Sequence, residues 1–145
     1  MPSEETKRAT QREWRELGFF YDCDDFSKSW RIMGTVQGLQ RFAHLVRAYA
    51  FNSKNESLSE HEHFGPYMFL EIGTWSHPEI TSHWIAGSLR DLSTLATLIE
   101  SVAELSAVGD RVSLRHQFAA ESPYDLIIEV QNEPFDPARA DTQCW

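Results

Sequence analysis

Apolar residues recur along this chain at two spacings, one typical of helices and one typical of strands. Over residues 37–51, and again after Ser88, apolar side chains return every three or four residues, which predicts two amphipathic helices. Ser88 and Asp91 have the spacing of a capping box at the start of the second helix, and Gly109 suits the stop after it. A short polar helix is predicted before Gly18.

Elsewhere apolar and polar residues alternate, as in strands with one buried face. This alternation predicts strands over residues 19–23, 29–36, 67–75, 80–86, 111–118 and 124–130. In the strand at 67–75 the aliphatic side chains face one way, whereas Tyr67, Phe69, Glu71 and Trp75 face the other. Residues 52–66 are a long polar connection, and His116 falls on the drier side of its predicted strand.

The order of these elements predicts an α+β fold. We expect a two-layer sandwich with two helices on one face of a mainly antiparallel sheet, a ferredoxin-like βαββαβ core with an extra C-terminal strand. Residues 1–145 form one domain, with an N-terminal helix in 1–18 and an irregular tail over 131–145. The sheet face without helices is then open to water, the N-terminal segment, a partner or a second copy.

The composition narrows the classes of function. A formal net charge of −9 opposes binding to nucleic acid or to an anionic membrane, and favours solubility or a basic partner protein. The start of the chain has no apolar signal region, and no window approaches the length of a membrane span. With only two cysteines, Cys23 and Cys144, we expect a cytoplasmic protein.

Two acids and two imidazoles crowd together at Glu60, His61, Glu62 and His63. In an extended segment the two histidines point the same way and could ligate one divalent metal such as zinc, while the acids face away. A third ligand would then come from elsewhere; the candidates are Glu71, His77, His83 and His116. The cluster could equally be a solvated loop or an ordered recognition loop.

No motif in the chain identifies a reaction. It has no nucleophile elbow, phosphate loop or dinucleotide fingerprint, and Cys23 stands among aspartates that would raise the pKa of its thiol. The five tryptophans and nine phenylalanines are generous for 145 residues, and rings bordered by charge are typical of protein-binding surfaces. The sequence therefore favours a protein without catalytic activity and without a cofactor.

Three segments carry a resemblance to a known group of proteins. Residues 59–67, with the earlier strand at 30–32 and the later 135–138, resemble small bacterial proteins grouped with the immunity proteins of polymorphic toxin systems. The resemblance implies a cytoplasmic protein that blocks a cognate toxin by binding it, and the negative net charge would suit a basic toxin domain as the partner. It implies no catalytic residues.

The sequence thus predicts a non-catalytic binding module of the toxin-neutralising kind. The residues expected to form or border the contact surface are Glu60, His61, Glu62, His63, Tyr67, Trp75 and Trp84. Two alternatives stay open: a metal-dependent enzyme built on His61 and His63, and a homodimer joined through the open sheet face.

Overall fold

The computed structural model describes residues 2–145 as an α+β fold. The helices are α1 (Glu4–Leu17), α2 (Val36–Phe51), α3 (Leu89–Leu105), α4 (Arg115–Phe118) and α5 (Pro137–Ala140). The strands are β1 (Phe20–Asp24), β2 (Ser29–Gly34), β3 (His61–Phe64), β4 (Leu70–Thr74), β5 (Glu79–Ile80), β6 (Ile85–Gly87), β7 (Arg111–Ser113) and β8 (Asp125–Val130). Within residues 2–145, no helix combines the length and the apolar character needed to cross a bilayer.

The strands form two four-stranded sheets of mixed direction. Sheet A has the order β1-β2-β8-β7, and sheet B has the order β3-β4-β6-β5. In each sheet two antiparallel pairs are joined by a central parallel pair, β2 with β8 and β4 with β6. Helix α2 carries the chain from sheet A to sheet B, and α3 carries it back.

The α+β class is as predicted, but the ferredoxin-like arrangement in one mainly antiparallel sheet is not confirmed. The predicted strand at 80–86 is a hairpin of β5 and β6, and the one at 111–118 is β7 followed by α4. His116, expected on the drier side of a strand, is exposed on α4. Alternation shows which side of a segment is buried, but it does not show where a strand breaks or which strand it pairs with.

One hydrophobic core joins the two long helices to the inner faces of both sheets. Trp30 and Ile32 enter it from sheet A, Ile72 and Ile85 from sheet B, and the apolar stripes of α2 and α3 close it. The predicted capping box is present: the Ser88 hydroxyl accepts from the Asp91 amide at 3.0 Å, and the Asp91 carboxylate accepts from the Ser88 amide at 2.9 Å.

The outer face of sheet A carries charge instead of a second core. Arg31 lies 2.6 Å from Asp22 and 3.4 Å from Glu129, which Arg111 also contacts at 3.4 Å. The beginning of β1 is covered there, where Phe20 packs against Trp14 of α1 with ring centroids 4.8 Å apart. This flank of the sheet is therefore not a dry interior.

The C-terminal segment is ordered, contrary to the prediction of an irregular tail over 131–145. It forms α5 and a 3₁₀ turn, Thr142–Cys144, which pack against α1. Ala138, Asp141 and Cys144 are buried there. The N-terminal and C-terminal segments thus pack against each other over the start of β1.

Candidate functional site

The His/Glu run of the sequence is a strand at the edge of sheet B. The polar connection predicted over 52–66 includes β3, which pairs with β4 in antiparallel register. His63 lies directly opposite Glu71, and His61 lies opposite Gly73. Glu62 pairs instead with Ile72, whose side chain enters the core, so the acids of the run alternate away from the histidines.

The register brings together His61, His63 and Glu71, here called the His/Glu triad. The Nε2 atom of His63 lies 3.3 Å from Oε1 of Glu71, and the two imidazole centroids are 5.2 Å apart. One potential ligand atom from each of the three residues lies within 4.8 Å of the others. Of the third ligands considered from sequence, Glu71 completes the group, whereas His77, His83 and His116 lie outside it.

A tryptophan pair occupies the same face of sheet B. The indole of Trp84 covers Gly73, where a β-carbon would stand only 2.2 Å from the ring. Trp75 packs on Trp84 with centroids 5.8 Å apart, and the Trp84 Nε1 donates to Glu79 at 3.3 Å. The predicted contact residues His61, His63, Trp75 and Trp84 therefore share one face, whereas Glu60 and Glu62 do not belong to it.

Between β3 and β4 the chain makes an exposed turn at residues 67–69. The predicted strand at 67–75 begins only at Leu70, because Tyr67 and Met68 adopt left-handed backbone angles, φ 66° and 57°. Met68 and Phe69 are 60% and 67% exposed, and Met68, expected on the aliphatic inner side, faces solvent. Such backbone angles are costly for residues other than glycine and concentrate at functional sites.

This 67–69 turn forms one rim of a cleft of about 600 Å³, here called the aromatic cleft. The cleft runs beside β1, the edge strand of sheet A, and the 81–83 connection closes its far side. Its rings are those of Trp14, Phe20, Tyr21, Trp30, Tyr67 and Phe69, and its acids are Asp22, Asp25 and Asp141. No Lys or Arg of residues 2–145 lines it.

Hydrogen bonds hold two of these carboxylates in place. Asp141 accepts from the Trp14 indole at 2.8 Å and from the Tyr67 hydroxyl at 2.5 Å, and Asp25 accepts from the Tyr124 hydroxyl at 2.7 Å. Asp22 is already paired with Arg31. Tyr67, predicted at the same surface as the histidines, is thus turned toward the cleft.

Cys23 lines the aromatic cleft, together with Ser82 and His83. Partial burial, followed by the charges of Asp25, Asp22 and Asp24, raises the pKa of its thiol to about 12. The thiol is then protonated at neutral pH, and a protonated thiol is a poor nucleophile.

The cleft is not apparent from the sequence. Its walls come from both ends of the chain and from three separate connections, and the Trp14–Asp141 hydrogen bond alone spans 127 residues. The segment containing Asp141 has no periodic pattern to signal its burial.

Comparisons with protein-family models, with curated protein sequences and with solved structures find no match for this chain. The residues of the site are therefore the basis for inferring function.

Proposed function

We propose that the protein is a non-catalytic binding module that neutralises a toxin in the cytoplasm. Its contact surface consists of the aromatic cleft, the 67–69 turn and the adjoining face with His61, His63, Trp75 and Trp84. The observation that carries the proposal is the 67–69 turn, which holds the apolar side chains of Met68 and Phe69 in solvent at the rim of a cleft lined by rings. Contiguous exposed apolar groups beside polar ones are typical of protein interfaces.

The charge of this surface indicates a basic partner. Asp25 and Asp141 line the aromatic cleft and accept hydrogen bonds only from uncharged donors. A Lys or Arg side chain entering the cleft would gain their attraction and would stack on the faces of aromatic rings. The net charge of −9 adds a long-range attraction for a positively charged domain.

The toxin-neutralising role comes from the resemblance of residues 59–67, 30–32 and 135–138 to immunity proteins. Such proteins act by forming a complex, which needs a binding surface and no catalytic group. The protonated Cys23 thiol agrees with that role.

The proposal requires a toxin gene adjacent to the gene of this chain, and it is tested with the toxin domain of that gene, made with its catalytic residue replaced. Titration calorimetry should show a one-to-one complex whose affinity falls as salt is added, because charges are paired in the interface. Met68→Ser and Phe69→Ser should each weaken binding by at least about tenfold, since exposed apolar groups at an interface centre carry much of its energy.

Leu105→Ser is the matched control, because Leu105 is 85% exposed at the end of α3 and lies outside the cleft. It should bind as the parent chain does. If the parent chain does not bind the toxin domain, the function is wrong; if Met68→Ser and Phe69→Ser bind normally, the surface is wrong.

A further inference from the structure

We infer that the His/Glu triad is a binding site for a divalent transition metal, with Zn²⁺ as the ion it fits best. His61, His63 and Glu71 supply two imidazole nitrogens and one carboxylate oxygen on the outer face of sheet B. This donor set suits zinc and its first-row neighbours, whereas Mg²⁺ and Ca²⁺ prefer oxygen ligands alone.

The distance between two of the ligand atoms matches a shared ion. Ligands bound to one zinc at about 2.0–2.1 Å with a tetrahedral angle lie about 3.3 Å apart. His63 Nε2 and Glu71 Oε1 are 3.3 Å apart. The third ligand atom, from His61, is within 4.8 Å of both.

Hydrogen bonds at Nδ1 orient both imidazoles, so that Nε2 is the nitrogen that can bind a metal. The Nδ1 of His61 is 2.9 Å from the carbonyl oxygen of Ser59, and the Nδ1 of His63 is 2.9 Å from that of Met68. A carbonyl only accepts, so each Nδ1 carries the proton and donates it, and in the neutral imidazole the lone pair is then on Nε2. Such a carbonyl partner behind a histidine is the usual support for a metal ligand.

The two supporting carbonyls belong to residues with unusual backbone angles. Ser59 has φ 75° and Met68 has φ 57°, and neither is glycine. A left-handed backbone costs an ordinary residue about 1–2 kcal/mol. The chain adopts this conformation at each of the two residues whose carbonyl meets a histidine of the triad; among the other described non-glycine residues, only Lys28 and Tyr67 share it.

The site leaves coordination positions open to solvent. His63 and Glu71 are only partly covered, with side chains 37% and 19% exposed. Water or a side chain from another protein could take the remaining position. Because the triad lies beside Trp84, which covers the residue opposite His61, a bound ion would stand on the proposed contact surface.

The test is titration of the full chain, purified without an affinity tag, with Zn²⁺ alone. We expect one ion per chain, and His61→Ala, His63→Ala and Glu71→Gln should each weaken binding by at least about tenfold. His77→Ala and His116→Ala are matched controls, since both are exposed histidines outside the triad and the aromatic cleft, and should bind Zn²⁺ as the parent does. Circular dichroism checks that each variant is folded.

A second readout identifies the ligating atoms. In nitrogen NMR of the imidazoles, the Nε2 signals of His61 and His63 should move on adding Zn²⁺, while their Nδ1 atoms keep their protons. The inference is overturned if the parent chain shows no saturable one-to-one binding, if any of the three triad variants binds normally, or if Nδ1 is the ligand. No toxin domain enters this experiment, so its result is independent of the proposed function.

Discussion

A single buried carboxylate, Asp141, links the two ends of the chain at the aromatic cleft. Only 7% of Asp141 is exposed, and it accepts from Trp14, Tyr67 and the Gln143 amide. Burial alone would raise the pKa of this carboxyl, but the hydrogen bonds outweigh burial and hold the pKa below its ordinary value. The native fold therefore stabilises the ionised form.

We predict that Asp141→Asn lowers the free energy of unfolding at pH 7 by about 1.5–3 kcal/mol, the range for hydrogen bonds to a charged group. The stability from the ionised carboxylate is present above its unfolded-state pKa of about 3.9 and is lost as the pH falls through the lower folded-state pKa. The difference between parent and variant should therefore shrink in acid. Urea unfolding at several pH values measures this difference in the free energy of unfolding.

Asp136→Asn serves as the control for this measurement. Asp136 pairs with Arg15 at 3.0 Å on the surface, and asparagine can keep its cap on α5. Asp136→Asn should therefore lower the free energy of unfolding by about 1 kcal/mol or less. A loss for Asp141→Asn no larger than this, or one that is the same at every pH, would contradict the role assigned to Asp141.

At the scale of residues, sequence could predict the histidines but not Asp141. His61 and His63 are two apart, and alternation along any extended segment places them on one side. Asp141 acquires its environment from Trp14 and Tyr67, which are distant in the chain. The local sequence pattern contains no information on contacts between residues so distant in the chain.

Among the elements, the long helices were the most predictable. The period of α2 and α3 repeats over four or more turns, and the Ser88–Asp91 pattern fixed where α3 begins. The strands were harder, because each is only two to six residues long. The apolar alternation at 67–75 continues through the left-handed residues Tyr67 and Met68, so it did not show that β4 starts at Leu70.

The capping box gives a prediction for α3. Ser88→Ala removes the hydroxyl that accepts from the Asp91 amide, and should lower the free energy of unfolding by about 1 kcal/mol. Thermal or urea unfolding of the variant measures this loss.

Thr94→Ala is the companion variant, at an exposed position within the same helix. It should be neutral or slightly stabilising, because alanine favours helix and the Thr94 hydroxyl bonds only the Arg90 carbonyl. Equal losses in the two variants would argue against a specific contribution from the cap.

For the whole molecule, the sequence predicted which faces of the helices and strands are buried better than it predicted which strands pair. The apolar side of each strand correctly indicated a core under α2 and α3, and the sheet flank away from them carries ion pairs or the triad and tryptophans. The division into two sheets depends on which strands pair, β2 with β8 and β4 with β6. Pairing between strands that are far apart in sequence produces no periodic pattern along the chain.

The account is tested most directly by amide hydrogen exchange of the chain alone and in complex with the toxin domain that the proposed function requires. If the aromatic cleft and the 67–69 turn bind the partner, exchange should slow at Tyr67, Met68 and Phe69 and along β1, while amides near Leu105 exchange as before. Protection confined to the outer surface of α2 and α3, or no protection at a saturating concentration of the toxin domain, would contradict it.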